Sequence, residues 1–328
     1  NACFDYQDYD SAVRYFTNVI KNDKKHSDAR SNLARSYIKL GELDKAQRIV
    51  EQALVLNKNW LDYLNLGEIE YLNLNLDKSS EAFTCAIKLS PTSWEPINAL
   101  GVVEHEQGRF DLALDLYDQA LNVCPSNPEI QWNRSLTLLS LGEFSLGWEA
   151  YESRWNRSDF TSPHFSTNLP QWEGQHGRLL LHTEQGFGDN LQFIRFINHA
   201  RKLTSEDIHV LAEPRLVRII ENSKLADKVS AKGSMIDHSE FDFHLPLLSL
   251  PKVMNIQPED YSFSTPYLSA PKSDKSKWER RLSPYKLPRI GLVWEGNIRN
   301  LKGLKRSIPQ DIFLKYIMKA AVPANYYC

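Results

Sequence analysis

A period of 34 residues runs through the first half of the chain and restricts its fold more than any other feature. Leu66, Gly67, Phe83, Ala86 and Pro91 return as Leu100, Gly101, Tyr117, Ala120 and Pro125. One unit earlier, across a link one residue shorter, stand Leu33, Ala34, Gly41, Ala46 and Ala53; one unit later Gly142, Phe144, Gly147 and Tyr151 keep the phase. Tyr9, Ala12 and Phe16 read as the second helix of a unit whose first helix is missing. The chain also starts at Asn1 rather than at Met, so an incomplete sequence is expected. A fixed period of this length means helix pairs that bury their apolar sides only by stacking on one another. The small residues (Gly67 or Gly101, then Ala113 or Ala120) let paired helices approach closely. Phe83 and Tyr117 fill the gap against the following unit. Gly41, Gly108 and Gly142 end first helices, where a left-handed residue is cheap only for glycine, and Pro91 and Pro125 stop second helices.

These residues resemble the tetratricopeptide repeat, which implies an array over residues 1–156 whose inner groove takes a peptide or protein partner. Glu104-His105-Glu106 on a first helix reads as a solvated face, because adjacent helix residues point in different directions. At the end of the array Trp148, Tyr151 and Trp155 fall at i, i+3 and i+7, an aromatic stripe expected to dock the array onto the next domain. Residues 157–177, with Pro163, Pro170 and Trp172, read as an ordered linker anchored by the tryptophan.

From Arg178 short apolar runs alternate with helical stretches, the pattern of a parallel α/β sheet. Strands are predicted at Leu179–His182, Ile208–Leu211 and Phe241–Leu245, and helices at Asn190–Leu203, Arg215–Asn222 and Leu247–Met254. After the basic connector 271–281 a new strand begins at Arg289-Ile290-Gly291-Leu292-Val293-Trp294. This divides the remainder into an α/β lobe at 178–287 and the start of a second, truncated lobe at 288–328.

The loop Glu184-Gln185-Gly186-Phe187-Gly188-Asp189 follows the first strand and opens a helix. Gly186 and Gly188 permit close approach of a ligand and positive dihedral angles. The following helix start offers unpaired N–H groups. Asp189 has two readings, a helix cap or a base facing a cleft, and Glu184 at the end of the strand is the rival base. A third glycine in place of Leu191 would be needed for a dinucleotide fingerprint, which speaks against an oxidoreductase.

Lys+Arg 39 against Asp+Glu 41 gives a net charge of −2, so bulk charge does not advertise nucleic acid. No apolar run reaches the roughly 20 residues of a membrane span. Cys3, Cys85, Cys124 and Cys328 have no metal-ligand spacing, no metal is expected, and a cytoplasmic location with free thiols is the reading.

Several separate runs resemble one family. They are Gly147-Trp148 to Arg154-Trp155, Glu184 to Asp189, Phe241-Asp242-Phe243-His244-Leu245-Pro246 with Leu247 to Pro251, Pro266-Tyr267-Leu268, Gly291 to Asn297, and Arg306-Ser307-Ile308-Pro309. Together they are similar to bacterial tetratricopeptide-repeat glycosyltransferases related to glycosyltransferase family nine and the heptosyltransferases, and more loosely to O-linked N-acetylglucosamine transferases. The resemblance implies an α plus α/β protein: a repeat array, a Rossmann-like GT-B acceptor lobe, and the first strand and helix of a truncated donor lobe. It implies a nucleotide-sugar donor as substrate without a cofactor, a protein or glycan acceptor, and Asp189 as base in an inverting transfer. Gln185, Gly186, Gly188, Gln192 and His244 would line the acceptor side, with a satisfied buried histidine as the other reading of His244. Asn297, Lys305, Arg306 and Ser307 would hold the diphosphate. The alternative is a non-catalytic repeat scaffold that binds a protein partner and carries an incomplete transferase lobe.

Overall fold

The computed structural model describes residues 8–204, 206–261, 266–282, 289–293, 307–319 and 325–327. Its first part is a run of helices: α1 (Tyr9–Asn22), α2 (Ser27–Lys39), α3 (Leu43–Leu56), α4 (Trp60–Leu72), α5 (Leu76–Leu89), α6 (Trp94–Glu106), α7 (Phe110–Val123), α8 (Pro128–Leu141) and α9 (Phe144–Tyr151). Each packs on the next. The repeat spacing has its expected physical cause. A Cβ at Gly101 would stand 2.7 Å from Tyr117 Cε1, and one at Gly67 would run into the Phe83 ring. The two rings therefore sit on the glycines of their own units, while Phe83 also joins Ile97 and Leu100 of the next unit in one core cluster. Gly41, Gly108 and Gly142 have φ of 76°, 76° and 84°.

First helices of successive units (α2 on α4, α4 on α6, α6 on α8) pack on one another, while second helices touch each other only slightly. The array therefore curves with its first helices inside. Side chains bridge this inner row: Lys39 Nζ to Glu68 Oε1 at 2.8 Å, Asn133 Nδ2 to Asn98 Oδ1 at 3.1 Å, and His105 Nδ1 to Thr137 Oγ1 at 2.8 Å. The solvated face expected for Glu104-His105-Glu106 holds for Glu106, which is exposed, and is corrected for Glu104. Glu104 is 3% exposed, pairs with Arg109 and accepts from Ser80 Oγ at 3.4 Å. A middle helix of an array has neighbours on both sides, so little of its surface is left to water.

After a 3-10 turn at Glu152–Asn156 the chain crosses an irregular stretch in which Trp172 is fully buried. It then forms β1 (Leu179–His182), β2 (Ile208–Ala212), β3 (Lys228–Ala231) and β4 (Phe243–Pro246), a parallel sheet in the order β3-β2-β1-β4. Every residue of β1 and β2 is buried, as expected of strands covered on both faces. The Leu181 register aligns with Val210 on one side and Leu245 on the other.

Around the sheet lie α10 (Phe187–Phe193), α11 (Ile197–Thr204), α12 (Pro214–Ser223) and the short α13 (Leu250–Val253). The helix predicted at Asn190–Leu203 starts three residues earlier and is split by a 3-10 turn at Ile194–Phe196. β3 is additional to the predicted strands, since Lys-Val-Ser-Ala at a sheet edge carries no apolar run. The Leu247–Met254 helix is shortened by a 3-10 turn at Leu247–Ser249. β4 starts two residues late because the Asp242 and Phe243 N–H groups both donate to Arg178 O.

The described residues up to Tyr267 form one compact unit and those from Leu268 a second. The second holds α14 (Lys272–Leu282), β5 (Arg289–Gly291), α15 (Gln310–Lys319) and β6 (Asn325–Tyr327), with β5 and β6 parallel. No helix among the described residues is long and apolar enough to cross a membrane.

Candidate functional site

The loop at the carboxyl end of β1 is built by side chains that replace missing backbone partners. Glu184 N donates to Asn190 Oδ1 at 3.2 Å, Asn190 Nδ2 to Gly186 O at 2.8 Å, and Gly186 N to Asp189 Oδ2 at 3.1 Å. Asp189 thus supports the start of α10, half-buried. The expected positive dihedrals at the glycines are corrected: Gly186 has φ −82°, Gly188 lies within the helix, and Gln185 takes the left-handed turn at φ 57°. Glycine at 186 answers a contact instead, as a Cβ there would meet Asp189 Oδ2 at 3.1 Å. Gln185 N is held by Ser162 Oγ at 2.8 Å, and Gln192 is exposed.

Glu184 points the other way. It is 2% exposed and its carboxylate faces Arg154, which is fully buried, with Nη2 to Oε1 at 2.7 Å and Nε to Oε2 at 3.4 Å. Arg154 also donates to Glu152 Oε1 at 2.5 Å and Ser249 Oγ at 2.8 Å, and Ser249 Oγ donates to Glu152 Oε2 at 3.0 Å. Burial pushes the Glu184 carboxyl up and the Arg154 guanidinium pulls it back. One guanidinium therefore clamps the end of the repeat array to the β1 loop and to the 3-10 turn after β4. The aromatic stripe closes the same joint: Trp148 meets Phe193 edge-on at 5.6 Å, and Tyr151 stacks on Phe193 at 6.4 Å.

His244 lies elsewhere. With His182, Glu152, Trp155, His164, Phe165, Gln171 and Pro246 it lines a cavity of about 360 Å³ at the carboxyl ends of β1 and β4. Asp189 is not among the residues lining it. His182 Nε2 is 3.2 Å from His244 Nδ1. Burial first, then the neighbouring His244, Lys232 and Arg154, brings the His182 imidazole down to about 3, and burial lowers His244 too. Both rings are neutral at neutral pH.

Asn297, Lys305 and Arg306 lie outside the described residues, and Ser307 is in the second unit just before α15. Among the described residues no group of three or more His, Cys, Asp or Glu is placed to hold a metal ion. Sequence reasoning misses Arg154, Glu152, Ser249 and His182. Arg154 and Glu152 stand inside the aromatic run 148–155, and a charged pair between buried aromatics is the signal available there.

Residues 4–66 and 101–142 match family models described as tetratricopeptide repeats. The array is built of tetratricopeptide repeats. Among curated proteins the chain is 28% identical over 142 residues to BBSome complex member BBS4 of Bos taurus, covering 43% of this chain and 27% of that one. It is 22% identical over 324 residues to Protein FlbA of Caulobacter vibrioides, covering 91% of this chain and 54% of FlbA. It is 27% identical over 107 residues to the Hsp70-Hsp90 organising protein of Plasmodium falciparum, covering 32% of this chain and 42% of that one. The chain spans about half the length of FlbA and less of the other two. Among solved structures, MamA aligns at 20% identity over 46% of this chain and 90% of its own, with a TM-score of 0.39. The thermophilic TPR protein TTC0263 of Thermus thermophilus aligns at 21% over 48% and 87%, with a TM-score of 0.43.

Proposed function

We propose that this protein is a repeat scaffold whose inner groove binds a protein partner. The observation that carries the reading is the row of first helices α2, α4, α6 and α8, packed side by side on the inside of a tetratricopeptide array. On these first helices Tyr71, Trp132 and Leu136 are partly open to solvent, Leu136 at 37%, and polar side chains between units are fixed by hydrogen bonds. Rigid aromatic and aliphatic anchors among pre-set hydrogen-bonding groups suit a peptide segment, whose ordering cost is offset only on a preorganised surface. By their names, one relative is a member of the BBSome complex and another an organiser of Hsp70 and Hsp90. The test is selection of peptides from a random library on the full chain. Binding in the range of about 1–100 µM, abolished by Leu136→Glu on the groove, is expected. Peptides that bind Leu136→Glu as well as the native chain would remove the groove from the proposal.

A second reading is sugar transfer, with Asp189 as base toward an acceptor near Gln185 and Gln192. In its favour are the parallel order β3-β2-β1-β4 and a loop at the carboxyl end of the central strand β1, where ligands of open α/β sheets gather. Its diphosphate would fall to Asn297, Lys305, Arg306 and Ser307. A calorimetric titration with UDP- and ADP-linked sugars tests it; no heat with either removes the donor.

A further inference from the structure

We propose that the protein partner enters the groove with a basic segment, an arginine of which seats on Tyr71 and faces Glu106. This rests on the groove reading above and names the chemistry of its partner. The first observation comes from the chain itself. Past the end of the array Arg157 lays its guanidinium over the Trp132 ring on α8, 5.0 Å from the centroid, and Asp159 meets its charge at 2.6 Å. An aromatic of the first-helix row thus already takes an arginine on its face.

The second observation is the charge of that row. α4 and α6 carry Asp62, Glu68, Glu70, Glu95, Glu104 and Glu106, and neither Lys nor Arg. Asp62 is buried against Ser31 Oγ at 2.6 Å, and Glu95 in the first turn of α6 suits the helix dipole. Glu70, Glu104 and Glu106 do the opposite. They stand in the last turns, where free carbonyl groups already make a helix end negative and cations are the favoured neighbours. His105 brings no charge between Glu104 and Glu106, since burial lowers its imidazole below the usual range. α2, with Arg30, Arg35 and Lys39 against Asp28, has the other sign, which confines the acidic stretch to α4 and α6.

Nearby cations are already engaged. Lys39 pairs with Glu68 at 2.8 Å, Arg109 with the buried Glu104, and Arg134 with Asp118 at 2.7 Å. Glu70 and Glu106 form no ion pair among the described residues. Glu70 accepts from Asn75 Nδ2 at 2.7 Å and Glu106 from the Tyr71 hydroxyl at 3.4 Å. Tyr71 therefore follows one acid in sequence and reaches the other across the α4–α6 seam, its ring half-buried against the array core. A ring face beside a carboxylate fits a guanidinium, which stacks on the one and donates to the other. The chain builds the same arrangement at Arg154, which lies over Tyr151 at 5.0 Å and pairs with Glu184 and Glu152. An acidic segment would meet like charge from Glu70, Glu106 and the helix ends.

The experiment measures fluorescence anisotropy of labelled peptide pools on the full chain. The pools share their apolar positions and differ at the charged ones, which are Arg, Lys or Glu. The Arg pool is expected to bind about tenfold tighter than the Glu pool, with Lys between them. Added NaCl should weaken it. Glu106→Gln should weaken the Arg pool by about threefold to tenfold while its urea midpoint stays or rises, because the last turn of α6 loses an unfavourable charge. Equal or tighter binding by the Glu pool overturns the proposal, as does Arg-pool binding unaltered in Glu106→Gln. Should the Glu pool bind best and the uncharged change Leu136→Ala weaken it, the groove reading stands and the basic partner alone falls. Silence from all three pools removes both.

Discussion

Gly101 and Gly108 sit seven residues apart for unrelated reasons, and substitution separates them. A methyl at Gly101 meets Tyr117 Cε1 at 2.7 Å, whereas at Gly108 nothing lies within 4 Å and the obstacle is φ 76°. Gly101→Ala should lose about 1–3 kcal/mol through overpacking. Tyr117→Phe should not relieve that loss, because the clash is with the ring. Gly108→Ala should lose about 1–2 kcal/mol through backbone strain. Urea unfolding of the three variants measures this. Arg154 is a harder case, for its removal leaves Glu184 buried and unpaired. Arg154→Met should lose about 3–5 kcal/mol, and adding Glu184→Leu should restore part of it. Equal stability of the single and double variants would mean the ion pair is not coupled. His182 gives a pH dependence. Unfolded, its ring titrates near 6.5; folded, near 3. Between these values the unfolded chain binds more protons, so stability falls as the pH is lowered through that window and is fully present above about 6.5. His209 and His244 are shifted in the same direction. The urea midpoint should drop from pH 7 to pH 4.5, and drop less in His182→Gln. The glycines and their aromatic partners are legible in the sequence because the repeat prints each contact more than once. Arg154 is not, since apart from Glu152 its side-chain partners Glu184 and Ser249 are 30 and 95 residues away and no period marks them.

At the scale of elements, what decides each outcome is whether neighbours in sequence are also neighbours in space. The helices of the array, with their glycine ends and proline stops, follow from local spacing. β1 and β2, buried throughout, follow from their apolar runs. β3 does not, as an edge strand half in water needs no such run. The start of α10 escapes the periodicity because Asn190 and Asp189 draw the Gly186 turn into the helix by bonds that sequence spacing alone does not reveal. α10 matters beyond its seven residues, since Phe193, 6% exposed, is what α9 rests on. Phe193→Ala should cost about 3–5 kcal/mol. Amide exchange should rise in α9 and α10 together while α2 and α3 keep their protection. A uniform rise along the whole array would mean the joint is not a local one.

Across the whole molecule the two kinds of architecture depend on each other. A stack of helix pairs has two open ends, and solenoids ordinarily finish with a unit whose outer side is polar. The last pair here does the reverse, turning Trp148 and Tyr151 toward Phe193 of α10, which meets both rings, and each is 7% exposed. Helices α10 and α13 of the α/β part therefore cover the end of the stack. A chain cut after Asn156 should carry a sticky terminus, self-associating in sedimentation experiments where the longer chain does not. Replacing Trp148 and Tyr151 with glutamine should return it to single particles. Anyone wishing to borrow these repeats as a free-standing module would have to supply that missing polar finish.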